Sequence, residues 1–258
     1  MTPRVVQGLL LKQRNLGESD LLVEFFTDTL GRLTAIVKGG KRSRKRFFGL
    51  LLTAHHLQLH LAPTRWSELW RLEAAELLLP HLGLRRDFRR LMAAGPVMEL
   101  LYRATASHDP QPAALGLALL TLARLATARS PREMADALAI FLTRLQVEMG
   151  FGLQLSRCLQ CGRPVAGQGP VRLWLQGGLL CPGCLPEAKA SLVSPGLVKG
   201  LAAAQSLDLR ALARLGFASG LGLEALPILA EAWRRIAGHD LPSLGLAWRI
   251  LSRARAIP

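Results

Sequence analysis

Four cysteines carry the most specific chemistry in this chain. Cys158-Leu-Gln-Cys161 and Cys181-Pro-Gly-Cys184 are two C-x2-C pairs separated by 19 residues. Two thiolates spaced i and i+3 on a tight turn supply half of a tetrahedral site, and a second such pair completes it. The pattern predicts a zinc ion held by Cys158, Cys161, Cys181 and Cys184. An iron–sulfur cluster is the alternative for the same ligand set. Four protein thiolates leave no position for water or substrate, so the zinc is read as structural and not catalytic. Gly162 and Gly183 sit where such turns need freedom in φ. Val171 to Leu175 and Gly177-Gly178 predict a small hairpin that brings the two pairs together.

The second concentration of chemistry is electrostatic. Six cations fall between Lys38 and Arg46: Lys38, Lys41, Arg42, Arg44, Lys45 and Arg46, with no acid among them. Before them, Leu33, Ala35 and Val37 alternate with Thr34, Ile36 and Lys38, a period of two that predicts a strand. Gly39-Gly40 then breaks the pattern, and Phe47-Phe48 lead into another strand-like segment. A cationic loop between strands, flanked by aromatics, suits a nucleic-acid backbone. The plainer reading is a solvated charge run that keeps the protein soluble.

These groups must be positioned by a chain of 258 residues, 50% hydrophobic, with a net charge of +15. That length supports a large core in one or two domains. The charge favours nucleic acid or an anionic surface as a partner. The N-terminus lacks a secretory layout, and no apolar run approaches a membrane span, so the expected compartment is the cytoplasm and no membrane partner is expected. In that compartment cysteines indicate metal more than disulfides.

Residues 4–80 read as strands: Val5 to Gln13, Leu21 to Phe26 closed by the turn signal Thr27 to Gly31, Leu33 to Lys38, the alternating His56 to Leu61, and Leu69 to Ala74, which is either a last strand or the start of a helix. Short strands with turns suggest a small barrel, and a five-stranded, partly open barrel of the oligonucleotide-binding (OB) type fits. After Pro80 the spacing becomes helical. Phe88, Leu91 and Met92 share a face, and Gly95-Pro96 is expected to break that helix. Leu115, Leu119 and Leu122, with Ala126, form a stripe beside Arg124 that would suit an acidic peptide with a hydrophobic end. Ser130-Pro131-Arg132-Glu133 reads as a capping box with proline at the first helical position. Helices resume at Ser194-Pro195 and continue over 208–216, 223–238 and 243–256. The expected fold is α+β: an OB-type barrel at 1–80, then a helical domain at 81–258 with a zinc-binding insert at about 155–188.

Weaker signals are set against plainer readings. Gly220-Leu-Gly222-Leu-Glu-Ala225 imitates a dinucleotide fingerprint, but no strand precedes it, so it reads as a loop opening a helix. His55, His56 and His60 read as strand residues beside the barrel opening, with His56 and His60 on one face. Trp66 and Trp70 can stack bases, and packing is the favoured reading. The Arg85-Arg86-Asp87-Phe88-Arg89-Arg90 cluster is either a second phosphate contact or a solvated helix face. No ATP-binding loop, nucleophile elbow or metalloprotease motif occurs, which points to a protein that is not an enzyme. Two rivals remain. A DNA-processing nuclease would need Glu18, Asp20, Glu24 and Asp28 clustered around metal. The other is an RNA-binding or ribosome-associated zinc protein.

The order of these pieces resembles the RecO family of bacterial DNA repair proteins over nearly the whole chain. The resemblance is carried by Gly17-Glu18-Ser19-Asp20-Leu21-Leu22-Val23, by Phe26-Thr27-Asp28-Thr29-Leu30-Gly31-Arg32-Leu33 and by Val37-Lys38-Gly39-Gly40-Lys41-Arg42. In the last of these, Gly40-Lys41 replaces the family's Ala-Arg. Phe141 to Phe151 and the two cysteine segments match the later half; some family members lack the cysteines. The resemblance implies a mediator of recombination without ATPase activity, which binds single- and double-stranded DNA and anneals complementary strands. It implies that, with a RecR-like partner, the protein helps load RecA recombinase onto DNA coated by single-strand binding protein, whose tail is the expected acidic peptide.

Overall fold

The computed structural model describes residues 2–43, 45–65, 68–165, 171–174, 177–184, 190–218 and 220–253. Arg44, Trp66 and Leu175, and the end of the last predicted helix beyond Arg253, lie outside the described residues. The chain divides into two compact units, Met1–Gly83 with Met98–Ala123, and Leu84–Val97 with Arg124–Pro258.

The first unit contains five strands: β1 (Arg4–Leu16), β2 (Asp20–Thr27), β3 (Gly31–Val37), β4 (His56–Pro63) and β5 (Leu69–Leu79). They close into a barrel in the order β1-β2-β3-β5-β4, and β4 returns to β1. All pairings are antiparallel except β3 with β5, where Thr34, Ala35 and Ile36 face Leu69, Trp70 and Arg71. This is the OB-type barrel, and Leu69 opens its last strand, not a helix. The alternation of β4 is realised, with Leu57, Leu59 and Leu61 in the core while His56 and His60 share the opposite face. Trp70 is buried in the same core, so packing is its role. Gly31 meets two demands: its φ is +65°, and a Cβ there would strike the Asp109 backbone. The segment after α1 (Phe88–Ala104) is thereby held against the start of β3, where His108 N–H also donates to the Arg32 carbonyl at 3.0 Å.

Gly95-Pro96 does not break α1, contrary to expectation; the helix runs through both. Proline removes one backbone hydrogen bond, but Ala93, Ala94 and Val97 around it are buried, as are Leu100 and Leu101 further on, and this packing outweighs the loss. Gly95 also faces Ser243, whose Cβ would lie 3.3 Å from an added Cβ. In α2 (Pro112–Thr127) the most buried face is Ala114, Leu117, Ala118, Thr121 and Leu125 together with Leu115 and Leu122; Leu119 is only half-buried. The predicted stripe is therefore largely interior and offers no peptide surface.

Helix α3 (Pro131–Glu148) starts as its sequence dictates. Ser130 Oγ accepts from Glu133 N–H at 3.2 Å, with Pro131 at the first position. The Glu133 carboxylate reaches one residue further back than a capping box requires, to Arg129 N–H at 2.8 Å. Ser194 caps α4 (Pro195–Ser206) in the same way. The predicted helix over 208–216 is short, α5 (Leu209–Leu212), capped by Asp208. Then come α6 (Leu221–Ala237) and α7 (Pro242–Arg253). Gly220 is left-handed and directly precedes α6, so the fingerprint-like run is the opening of a helix. Gly222 is required because an added Cβ would strike Asp136 of α3. Trp233 of α6 is fully buried and donates to the Leu142 carbonyl at 3.1 Å.

The insert folds as a three-stranded sheet, β7-β6-β8, from β6 (Val171–Trp174), β7 (Gly178–Leu180) and β8 (Ala190–Val193). The predicted hairpin is β6 with β7; β8 is an addition. Gly178 has φ +145° and lies so close to the Gln154 backbone that no Cβ fits.

Candidate nucleic-acid interface and metal centre

The interface begins with an arm of β1. Arg4 to Leu9 pair with β4, whereas the ladder with β2 runs from Gly8 to Leu16, past the end of the β4 pairing, and carries an irregularity between Leu10 and Lys12. Such a bulge bends a strand away from its sheet. Lys12 to Leu16 are exposed on this arm.

The cationic loop is tied to the tip of that arm. Asp20 accepts Gly39 N–H at 2.9 Å through Oδ1 and Lys38 Nζ at 2.8 Å through Oδ2. The Gly39 N–H, and then Lys38, hold the Asp20 carboxyl down at about 2. Gly39 is left-handed, with φ 66°, so the turn needs glycine. Lys41 N–H donates to the Ser19 carbonyl at 3.0 Å and Lys41 Nζ to the Gly17 carbonyl at 2.7 Å. Arg46 donates to the Lys38 carbonyl at 3.0 Å, and its guanidinium lies 4.7 Å from the centre of the Phe47 ring. The side chains of Lys38, Lys41, Arg42, Lys45 and Arg46 are exposed.

The sequence suggested a strand after the cations, but residues 47–55 form turns. Phe47 and Leu51 drop into the barrel core and anchor the loop from beneath. Phe48 points the other way and is 75% exposed. His55 Nδ1 donates to the Leu50 carbonyl at 2.9 Å, and His81 Nδ1 to the Ala54 carbonyl at 2.7 Å, fixing the turn before β4. Burial, and then His81 nearby, lowers the pKa of His56. Sequence reasoning missed Asp20, since it found no acid within the run; the pairing is across 18 residues and only the β2–β3 register brings it about.

The Arg85–Arg90 cluster is divided. Arg90 donates to the carbonyls of Ala126 and Ala128 at 2.9 and 3.0 Å, closing the C-terminal end of α2. Asp87 accepts Arg89 N–H at 2.7 Å at the start of α1, and Arg85, Arg86 and Arg89 are exposed. Arg124, the cation of the predicted peptide stripe, instead donates to the Leu212 and Leu215 carbonyls at 2.8 and 2.7 Å. The barrel acids do not converge. Glu24 is buried, Asp20 holds Lys38, and Asp28 accepts Gln7 N–H at 3.2 Å.

Among the described residues, one group of three or more His, Cys, Asp or Glu side chains is close enough to share a metal ion: Cys158, Cys161, Cys181 and Cys184, whose sulfurs all lie within 4.8 Å of one another. Cys161 and Cys181 Sγ are 3.6 Å apart, near the edge of about 3.8 Å expected for sulfurs 2.3 Å from a tetrahedral zinc. Each pair sits on a tight turn, with Gly162 N–H donating to the Cys158 carbonyl and Cys184 N–H to the Cys181 carbonyl. Gly162 has φ +71° as expected. Gly183 does not need positive φ, because its pair turns as a 3-10 helix, Pro182–Cys184. Cys181 N–H donates to Cys158 Sγ at 3.3 Å, and this bond, with the Cys161 N–H, brings the Cys158 thiol down to about 6. Hydrogen bonds with the Cys161 and Cys181 sulfurs push Cys184 up to about 12. Four crowded thiols resist joint deprotonation; a divalent cation at their centre removes that resistance.

Residues 1–81 match the family model described as Recombination protein O N terminal, and residues 85–245 match Recombination protein O C terminal. The DNA repair protein RecO of Anaeromyxobacter dehalogenans (strain 2CP-C) is 32% identical over 236 residues, 91% of each chain. That of Anaeromyxobacter sp. (strain Fw109-5) is 31% identical over 245 residues, 93% of this chain and 94% of the relative. That of Syntrophobacter fumaroxidans (strain DSM 10017 / MPOB) is 33% identical over 177 residues, 68% of this chain and 69% of the relative. With residues 1–81 and 85–245 both matched, the chain belongs to the recombination protein O family of DNA repair proteins.

Proposed function

We propose that the protein is a non-enzymatic recombination mediator that binds single- and double-stranded DNA through the loop of its barrel and anneals complementary strands. The observation that carries this reading is the fixed base of the loop. Its backbone is bonded to the tip of the β1–β2 arm, its Phe47 and Leu51 are in the core, and Lys38, Lys41, Arg42, Lys45 and Arg46 are exposed. Lys38, Lys41, Arg42, Arg44, Lys45 and Arg46 are the proposed DNA contacts. Cations held in one patch bring two phosphate backbones close and screen their repulsion, so that complementary bases meet. Residues 1–80 serve as the DNA-binding domain and residues 81–258 as the helical domain, in which the quartet holds a structural zinc. With a RecR-like partner the protein helps load RecA onto DNA coated by single-strand binding protein, in the cytoplasm at the nucleoid. Among the described residues no helix is long and apolar enough to cross a membrane.

The test is strand annealing by the purified protein, with and without coating protein. Unmodified protein accelerates annealing in both conditions, and a variant with Lys41, Arg42, Arg44 and Lys45 changed to glutamate does not. Equal annealing by the two proteins would remove the loop from the mechanism and make Arg85, Arg86 and Arg89 the next surface to test.

A further inference from the structure

The groove beside the cationic loop has a composition that phosphate contacts alone do not require. It is a cavity of about 440 Å³ between the exposed arm of β1 and the turns at 40–52, within the usual range of about 300–1,000 Å³ for ligand sites. Two amides, Gln13 and Asn15, and two cations, Arg14 and Lys41, line it together with Phe48. Phe48 is the most exposed large apolar side chain among the described residues. The groove is preformed, since Lys41 is bonded through both its backbone N–H and its Nζ to the tip of the arm.

Phosphates need only the cations. An aromatic face next to paired donors and acceptors matches a nucleobase, whose ring stacks and whose edge forms hydrogen bonds. In a duplex that face is covered by neighbouring base pairs and that edge by the partner strand. We propose that the groove takes one unstacked base of a single DNA strand, stacked on Phe48, its edge toward Gln13 and Asn15 and its flanking phosphates at Arg14 and Lys41. The inference rests on the loop being the DNA-binding surface. It gives annealing a direction: a base in the groove leaves when it pairs, so the duplex product is held by the cations alone.

The test uses the full chain and fluorescence anisotropy on a labelled single strand and a duplex of equal length. Phe48→Ala weakens single-strand binding by about tenfold, the loss expected for one stacked base, and leaves duplex affinity unchanged. The salt dependence also stays the same, because no ionic contact is removed. Phe48→Trp restores binding, and a 2-aminopurine in the single strand changes emission on the unmodified protein but not on Phe48→Ala. The side chain is exposed, so thermal melting is expected to be unaltered. Single-strand affinity unchanged in Phe48→Ala, or an equal loss on duplex, overturns the proposal. The charge-reversed loop in the same assay separates the two ideas. If that variant loses DNA while Phe48→Ala does not, the base site alone is wrong; if it keeps DNA, the reading beneath it fails as well.

Discussion

In the loop after β3, the side chains of Arg42 and Lys45 are exposed; in the helices, Arg90, Arg124 and Arg144 turn their guanidinium groups onto protein carbonyls. The second group closes helix ends: Arg90 at α2, Arg124 at α5, and Arg144 at α4 through the Gln205 and Leu207 carbonyls. Helical arginines also pair along their own helix, Arg144 with Glu148 and Arg234 and Arg235 with Glu231. Counting charge alone points the wrong way. Up to Pro80 there are 12 lysines and arginines against 7 acids, and beyond it 21 against 11. The C-terminal region holds more net charge, but Arg90, Arg124 and Arg144 serve helix ends, where unpaired carbonyls and the negative pole of the helix favour a cation. The loop holds less charge, and although Lys38, Lys41 and Arg46 also bond to the protein, the side chains of all its described cations are exposed. Position relative to helix ends, not abundance, separates structural cations from those available to a partner.

The strongest way to sharpen this contrast lies in the cysteine quartet. The protein is expected to carry one zinc per chain, and Cys158→Ser to lose it, with loss of order in the insert, because metal-binding energy of roughly 10 kcal/mol is folding energy there. DNA affinity should persist, as the loop draws its anchors from the barrel. Metal analysis, melting and DNA titration on the same preparation check all three; freely titratable thiols in the native protein would break the expectation.

Next in size is the loop itself. Reversal of Lys41, Arg42, Arg44 and Lys45 to glutamate should remove most DNA binding and reduce the slope of log affinity against log salt by roughly 3 to 4, at about 0.7–0.9 per phosphate contact. Thermal stability should hardly move, since Lys41, Arg42 and Lys45 are exposed. Arg124→Ala should do the converse. Two charge-assisted bonds in a half-buried setting vanish, lowering stability by about 2–4 kcal/mol in denaturant melts with the DNA salt slope unchanged. A change in slope for this variant would mean that helical arginines contact DNA after all.

The smallest effect concerns Asp20→Asn. The carboxyl is near 2 when folded and ordinarily 3.8, so its stabilisation is fully present above the ordinary value and is lost as pH falls through about 2. The variant should therefore melt below the unmodified protein at neutral pH, and the two curves should converge as pH drops from about 4 to about 2. A gap that persists at pH 2 would place the effect elsewhere than in the ionised carboxylate.

Much of the fold was legible where the signal is local. The cysteine spacing, the alternation of His56 to Leu61, and the caps at Ser130 and Ser194 each need only a few neighbouring residues to be read. What escaped was decided at a distance. Helix α1 continues through Pro96 because of burial that no local pattern reveals. Phe47 and Phe48 are identical in sequence terms, and only the barrel interior distinguishes the buried one from the exposed one. The outward stripe predicted on α2 failed because Leu115 and Leu122 face the interior and Arg124 has carbonyl partners 88 and 91 positions away. Of the candidate interface, the cations were readable but the arm, Asp20 and the groove were not, as they depend on strand register.

The parallel contact of β3 with β5 and the return of β4 to β1 also govern how the barrel comes into being. Neighbouring strands β1, β2 and β3 can meet as a meander soon after synthesis, but both its outer edges stay open until the chain has reached β4 and β5. Closure thus waits for contacts distant in sequence, which slows folding and exposes unpaired strand edges in the interval. Charge around those edges guards against association with other chains. Arg4 on the edge of β1 that later receives β4, and Lys38 directly after β3, stand at these positions. On this account cations near the interface also keep the half-made barrel from aggregating, and their replacement by apolar residues should show first as a lower refolding yield.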